Sequence, residues 1–183
     1  ESGPTPATAG RLRTQARAYL AARRPQDAVA PLAAGRAIID QIGIPYIALV
    51  IEADQAYVSA LTGGDINAAA ARLERVIKAQ DAGERRYKSH LPDYYLGKLL
   101  LGQSQVTQSR AALERSVVLA RTQTRKAELA DALTGLGQAQ LAQALPGEAA
   151  HSFEEALQIY RSTQVATSPA QTEALEGLAQ AQR

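Results

Sequence analysis

Apolar and small residues recur along the chain at helical spacing, and the same stretch is written more than once. Between residues 147 and 161, Ala149, Phe153, Ala156, Leu157 and Tyr160 are spaced 4, 3, 1 and 3 apart. That is one stripe of a 3.6-residue period. Forty residues earlier Ser109, Leu113, Ser116, Val117 and Ala120 hold the same slots. Another forty back, Ala69, Leu73, Val76, Ile77 and Gln80 do so. A fainter copy, one residue out of that period, is Ala28, Leu32, Gly35 and Arg36. Self-similarity at an interval of roughly 20–50 residues marks stacked repeats. Each copy follows another helical stretch. The pattern predicts helices over 9–23 and 26–41, 45–62 and 65–80, 84–104 and 107–122, then 124–144 and 147–162.

Punctuation supports these pairs. Gly63-Gly64-Asp65 offers a positive-φ residue to close one helix and a carboxylate to cap the next. Pro146-Gly147 marks a similar joint. Pro92, inside the 84–104 stretch, should break or kink that helix or mark its true start. Ser168-Pro169-Ala170-Gln171 has the arrangement of a capping box. It opens a last helix whose Ala170, Ala174, Leu175, Leu178 and Ala179 form an apolar face. Such a helix would cover the end of an array. The opening ESGPTPATAG has no periodicity, and residues 1–8 read as a flexible linker. The expected fold is all-α. It is a superhelix, or solenoid, of about four antiparallel pairs over 9–42, 45–82, 84–122 and 124–163, with a capping helix at 168–183.

Composition narrows the classes of function. Apolar residues make up 46% and charged residues 21% of the 183, so the chain is neither disordered nor bilayer-spanning. The longest apolar run, near Ile42–Ile51, is interrupted by Gly43 and Pro45, well short of the ~20 residues a bilayer needs. A net charge of +2 is too small to imply a nucleic-acid or acidic-membrane partner. Without Cys there is no disulfide framework, thiolate zinc site or Cys nucleophile. The lack of Met, even at position 1, marks a processed or excised chain. A cytoplasmic location is expected, with a periplasmic one after signal-peptide removal as the alternative.

The fourth pair reads Leu133-x-x-Leu136-Gly137-x-x-Gln140, then Ala149-x-x-x-Phe153-x-x-Ala156. This resembles the tetratricopeptide repeat (TPR), whose small residues sit where helices cross closely. The third pair keeps Leu96-Gly97, Leu100, Ser109, Leu113 and Ser116; the first offers Leu12, Ala16, Tyr19, Ala28, Leu32 and Gly35. In the second, Ala56 and Tyr57 stand where Leu-Gly belongs. The usual Pro after the second helix is replaced by Arg121 and Arg161, and the period is 40. The likeness spans roughly 9–163 and implies that the first helix of each pair lines a concave groove. The outward positions it assigns to partner binding are Arg13, Arg17, Asp54, Tyr94, Tyr95, Lys98, Thr134 and Gln138. The family's clamp for chaperone tails uses Lys and Asn, and no Asn stands at these places.

Little catalytic chemistry is available. Of the two histidines, His151 reads as a surface helix partner of Glu155, and His90 lacks the three or four ligands of a metal site. No nucleophile elbow, phosphate loop or dinucleotide fingerprint occurs. Glu74, Glu114, Glu154 and Glu155 recur between units, as solvated helix faces do. No catalytic residue, metal or cofactor is expected. Arg85-Arg86-Tyr87-Lys88, followed by Tyr94, Tyr95 and Lys98, could contact single-stranded RNA, but a solvated charge run at a repeat joint is the plainer reading. The sequence points to a non-catalytic module binding a peptide or partner domain in the groove. The alternative is a regulatory or sensor domain of a larger bacterial signalling protein, a transcription regulator or kinase, binding a small ligand or its own effector domain. Neither nucleic acid nor membrane insertion is expected, and self-association is left open.

Overall fold

The structure, a computed structural model, describes residues 5–83, 88–123, 126–163 and 168–183. Among these, all regular structure is helical: α1 (Pro6–Ala21), α2 (Pro25–Ile42), α3 (Pro45–Leu61), α4 (Ile66–Ala82), α5 (Leu91–Gly102), α6 (Val106–Arg121), α7 (Lys126–Ala142), α8 (Pro146–Thr163) and α9 (Pro169–Ala181). Several starts are written by proline, whose missing N–H has no partner at a helix N-terminus anyway. Pro6, Pro25, Pro45, Pro146 and Pro169 each open a helix. Side-chain caps secure others. Asp65 Oδ1 accepts from Asn67 N at 2.8 Å, and Ser168 Oγ accepts from Gln171 N at 3.1 Å.

Two boundaries differ from the sequence reading for identifiable reasons. Thr5 caps α1, its Oγ1 accepting from Thr8 N at 3.2 Å, so residues 5–8 are cap and first turn rather than linker. The helix expected from 84 begins at Leu91, with Pro92 second in it, so proline marks the true start. The expected residues 84–87 and 124–125, like 1–4, lie outside the described residues.

The joints within pairs repeat more faithfully than their residue types do. Arg23, Gly63, Ser104 and Ala144, spaced 40, 41 and 40 apart, all have positive φ, at 56°, 95°, 60° and 58°. The next residue's N–H turns back five places at every one: Arg24 to Tyr19 O at 2.8 Å, Gly64 to Ser59 O at 2.8 Å, Gln105 to Leu100 O at 2.9 Å and Leu145 to Gln140 O at 3.0 Å. This is the Schellman closure, which satisfies an orphan carbonyl at the helix end. Only one of the four left-handed residues is glycine. A left-handed Cβ costs roughly 1–2 kcal/mol, so Ala144→Gly should stabilise by about 0.5–1 kcal/mol after the extra chain entropy of glycine. Gly64 is needed for a different reason: a Cβ there would lie 2.7 Å from Ser59 O. Gly64→Ala is therefore expected to destabilise by about 1–3 kcal/mol. Urea midpoints of both variants test the pair of expectations.

The chain divides into two compact units, Glu1–Pro92 and Asp93–Arg183. In the first, α1 packs on α2, α2 on α3 and α3 on α4. Its core holds Ala9, Ala16, Ala28, Leu32, Ile39, Ile51 and Val58. In the second, α6 packs on α7, α7 on α8, and both α7 and α8 on α9. Leu113, Val117, Leu133, Leu136, Phe153, Leu157 and Tyr160 fill its core with alanines between them.

Close approach of each helix pair depends on one small residue, seven places before the left-handed turn. That slot holds Ala16, Ala56, Gly97 and Gly137, and all are buried. A Cβ on Gly97 would lie 2.5 Å from Leu113 Cγ, and one on Gly137 would lie 2.7 Å from the Phe153 ring. The slot fixes the register of the second pair. Ala56 is its glycine equivalent and Gln55 replaces Leu96 and Leu136, while Tyr57 belongs one place further on. The 41-residue step from Gly63 to Ser104 produces that slip.

Tyr160 ties α8 to α7, its hydroxyl donating to Asp131 Oδ1 at 2.6 Å. Burial first, and then the Asp131 charge, push its pKa well above the ordinary 10.0. The folded chain thus holds this proton more tightly than the unfolded chain does. The resulting stability is complete below about pH 10 and falls at higher pH, by up to about 1.4 kcal/mol per pH unit. Tyr160→Phe should flatten that alkaline limb, measured as Tm between about pH 9 and 11.

Candidate partner-binding face

The expected site residues split between the units: Arg13, Arg17 and Asp54 in the first, and Tyr94, Tyr95, Lys98, Thr134 and Gln138 in the second. Three of them do not face outward. Asp54 is 0% exposed, Tyr95 4% and Thr134 2%. Asp54 stands one position after Ala53, the equivalent of Arg13, Tyr94 and Thr134 in its pair, and Ala53 is buried as well. Asp54 points at the preceding first helix, where Arg13 Nε donates to its Oδ2 at 2.5 Å. Thr134 sits at the crossing of α7 with its neighbours and donates to Ala130 O at 2.9 Å, which returns its hydroxyl to its own helix. Tyr95 joins the core, with its ring centroid 5.8 Å from that of Tyr94.

Counted back from the left-handed turns, the equivalent positions on the first helices are Arg13, Ala53, Tyr94 and Thr134, and Arg17, Tyr57, Lys98 and Gln138. Ala53 and Thr134 of the first set are buried, whereas every member of the second is partly exposed. Tyr57 was missed by the sequence reading, although the 41-residue step that places it is countable in the sequence. It is partly exposed, as are Arg13, Arg17, Tyr94, Lys98 and Gln138.

In the second unit these positions join in a connected face. Lys98 Nζ on α5 donates to Gln138 Oε1 on α7 at 2.9 Å, and Gln138 Nε2 donates to Glu173 Oε2 on α9 at 3.0 Å. Lys98 Nζ also lies 3.6 Å from Glu173 Oε2. These groups are 23% and 28% exposed, so the ion pair contributes no more than about 1 kcal/mol. Its effect, with the two hydrogen bonds, is to tie together side chains from three helices. Gly135 leaves room beside them: a Cβ there would lie 3.4 Å from Tyr94 Cε2 and 3.8 Å from Lys98 Cδ. Glu173 was not expected in the site, because its helix read only as a cap.

Other charges are engaged elsewhere. Arg115 Nε donates to the buried Asp93 at 3.0 Å. Arg110 bridges Glu114, Gln143 and Glu148 at 2.7, 3.1 and 2.8 Å. The Glu114 hydrogen bond, before the other influences, raises the Arg110 pKa. Glu155 accepts from Arg121 Nη2 at 2.7 Å, an ion pair between α6 and α8, while His151 is exposed. Of the basic and aromatic stretch, Arg85, Arg86 and Tyr87 lie outside the described residues, and Lys88 Nζ donates to Asp81 at 2.9 Å. Among the described residues no three His, Cys, Asp or Glu could hold a metal. No described helix is long and apolar enough to cross a membrane.

Solved structures share this architecture. The nearly identical TPR-like repeats of a Podosopora anserina protein assigned as a kinesin light chain superpose with a TM-score of 0.64 at 20% identity, over 98% of this chain and 87% of that one. A single-substitution form of that protein gives 0.65 at 21%, over 96% and 85%. MamA from Desulfovibrio magneticus RS-1, residues 41 to the end, gives 0.51 at 15%, over 96% and 93%. The fold is TPR-like. The TPR-like assignment rests on architecture, since no family model and no curated protein matches the sequence. It accounts for the small-residue slots at Ala16, Ala56, Gly97 and Gly137 and for the large residues Leu113 and Phe153 that two of those glycines face. Lys98 and Gln138 stand at equivalent positions on the first helices of successive pairs, where they meet.

Proposed function

We propose that the chain is a non-catalytic interaction module that holds a peptide or an extended segment of a partner protein against its first helices. The observation that carries this is the Tyr94, Lys98, Gln138 and Glu173 face of the second unit, built from α5, α7 and α9. An aromatic ring and a set of half-exposed donors and acceptors, held on rigid helices, is what a peptide backbone needs for anchoring. Proteins with TPR-like repeats are generally interaction scaffolds, which agrees with this reading.

Panning the chain against a random peptide library on phage tests it. Peptides should be enriched over a blank surface. Their binding should fall about tenfold or more in a Tyr94→Ala, Lys98→Glu variant and persist in Arg161→Glu, which alters an exposed residue on a second helix. Equal loss in both variants, or none in either, would mean that the first-helix face is not the site.

A further inference from the structure

Between α7 and α9 lies a cleft of about 340 Å³ beside the face just described. Leu141, Ala142 and Gly177 give it an apolar floor, and Gln138, Glu173 and Glu176 stand along it. Glycine at 177 is fixed by packing, because a Cβ there would overlap the Phe153 ring. Its backbone therefore stays close against the core at the point where it also lines the cleft. Glu173 is already drawn into the Lys98 and Gln138 cluster. Glu176 is exposed, one turn further along α9, and no ion pair or side-chain hydrogen bond engages it among the described residues. The cleft thus combines a short apolar strip with Gln138, Glu173, Glu176 and Gln180 along its edges, and it has no lining cation of its own.

A Lys or Arg side chain has the matching build, with methylenes that lie along apolar surface and a charged head that reaches for water or an anion. We propose that this cleft takes a basic side chain of the bound peptide, its stem on Leu141, Ala142 and Gly177 and its cation at Glu176. This rests on the preceding reading of the face and adds the chemistry of the partner: a segment with a Lys or Arg at one fixed place. The apolar floor would accept an aliphatic side chain too, so the charge at Glu176 is what selects.

Peptides enriched by panning the whole chain are remade with a fluorescent label and titrated by anisotropy. They should share a Lys or Arg at one position. Replacing it by norleucine should weaken binding about fivefold, and Glu176→Gln on the protein should do the same, the scale of a half-exposed ion pair. The two changes together should cost little more than either alone. The difference should shrink between about 50 and 300 mM salt. Glu176 is exposed, so an unchanged melting temperature shows that the variant is folded. Peptides that depend on Lys98 yet show no basic preference and no response to Glu176→Gln would overturn this inference and leave the binding face standing. No enriched peptide at all would remove both.

Discussion

Phe153→Ala is expected to cost the second unit about 3–5 kcal/mol, the range for emptying a buried aromatic site. The ring is fully buried, and it lies between two helices that each present a glycine to it. A Cβ on Gly137 would fall 2.7 Å from the ring, and one on Gly177 would overlap it. The void left by alanine is thus walled by bare backbone on two sides, with no longer side chain to swing in. It can close only if α7 or α9 moves as a body. Urea unfolding followed by helical circular dichroism should show the loss. Hydrogen exchange should show it first in α9, whose contacts run to α8 and α7. A loss below about 1.5 kcal/mol would mean that the helices collapse freely onto the gap. Gly177→Ala offers the converse, because it should free α9 while α7 and α8 keep their protection.

Asp54→Ala should be the most damaging polar change, at about 3 kcal/mol. Asp54 is completely buried, and it receives the Arg13 guanidinium across α1 and α3. Removing the carboxylate leaves a cation in a site where its Nη2 already lacks a hydrogen-bond partner. Breaking a buried pair in this way typically costs about 3–5 kcal/mol. The lower figure applies here because the Arg13 side chain is 19% exposed and keeps some water. An Arg13→Leu, Asp54→Leu double variant should recover most of the loss, since a matched apolar pair leaves no charge stranded. Thermal melts of the two singles and the double give the coupling. A double variant less stable than Asp54→Ala would refute the account.

Much of the architecture could be read from the residues, and the part that could not has physical causes. The stripes at Ala149–Tyr160 and Ser109–Ala120 are strongly periodic, and their helices lie close to where periodicity put them. Proline carries two meanings, breaking a helix or starting one, and the residues alone do not say which: Pro92 stands second in α5 and starts it, while Pro31 lies inside an uninterrupted α2. The start of α1 was hidden because Thr5-Pro6 looks like a linker until its hydroxyl is seen capping Thr8. The proposed binding face was legible by repeat position and not by residue. Lys98 and Gln138 fell in register because 40 residues separate them, whereas Asp54 fell one place out and Tyr57 was passed over. In the last helix, Leu175 and Ala179 were counted with the buried stripe but are exposed, and Gly177, with no side chain to weigh in a hydrophobic pattern, is buried. A glycine that matters by what it leaves room for is invisible to any tally of apolar groups.

The left-handed closure shared by Arg23, Gly63, Ser104 and Ala144 has a bearing on how such a chain can evolve. Each hairpin bends through main-chain hydrogen bonding, with cationic, hydroxylic and methyl side chains all tolerated at the bend. A gene segment copied in tandem would inherit the bend with it, and later drift at that codon would leave the angle intact. A hairpin gained or lost as a whole would then carry its own bend with it.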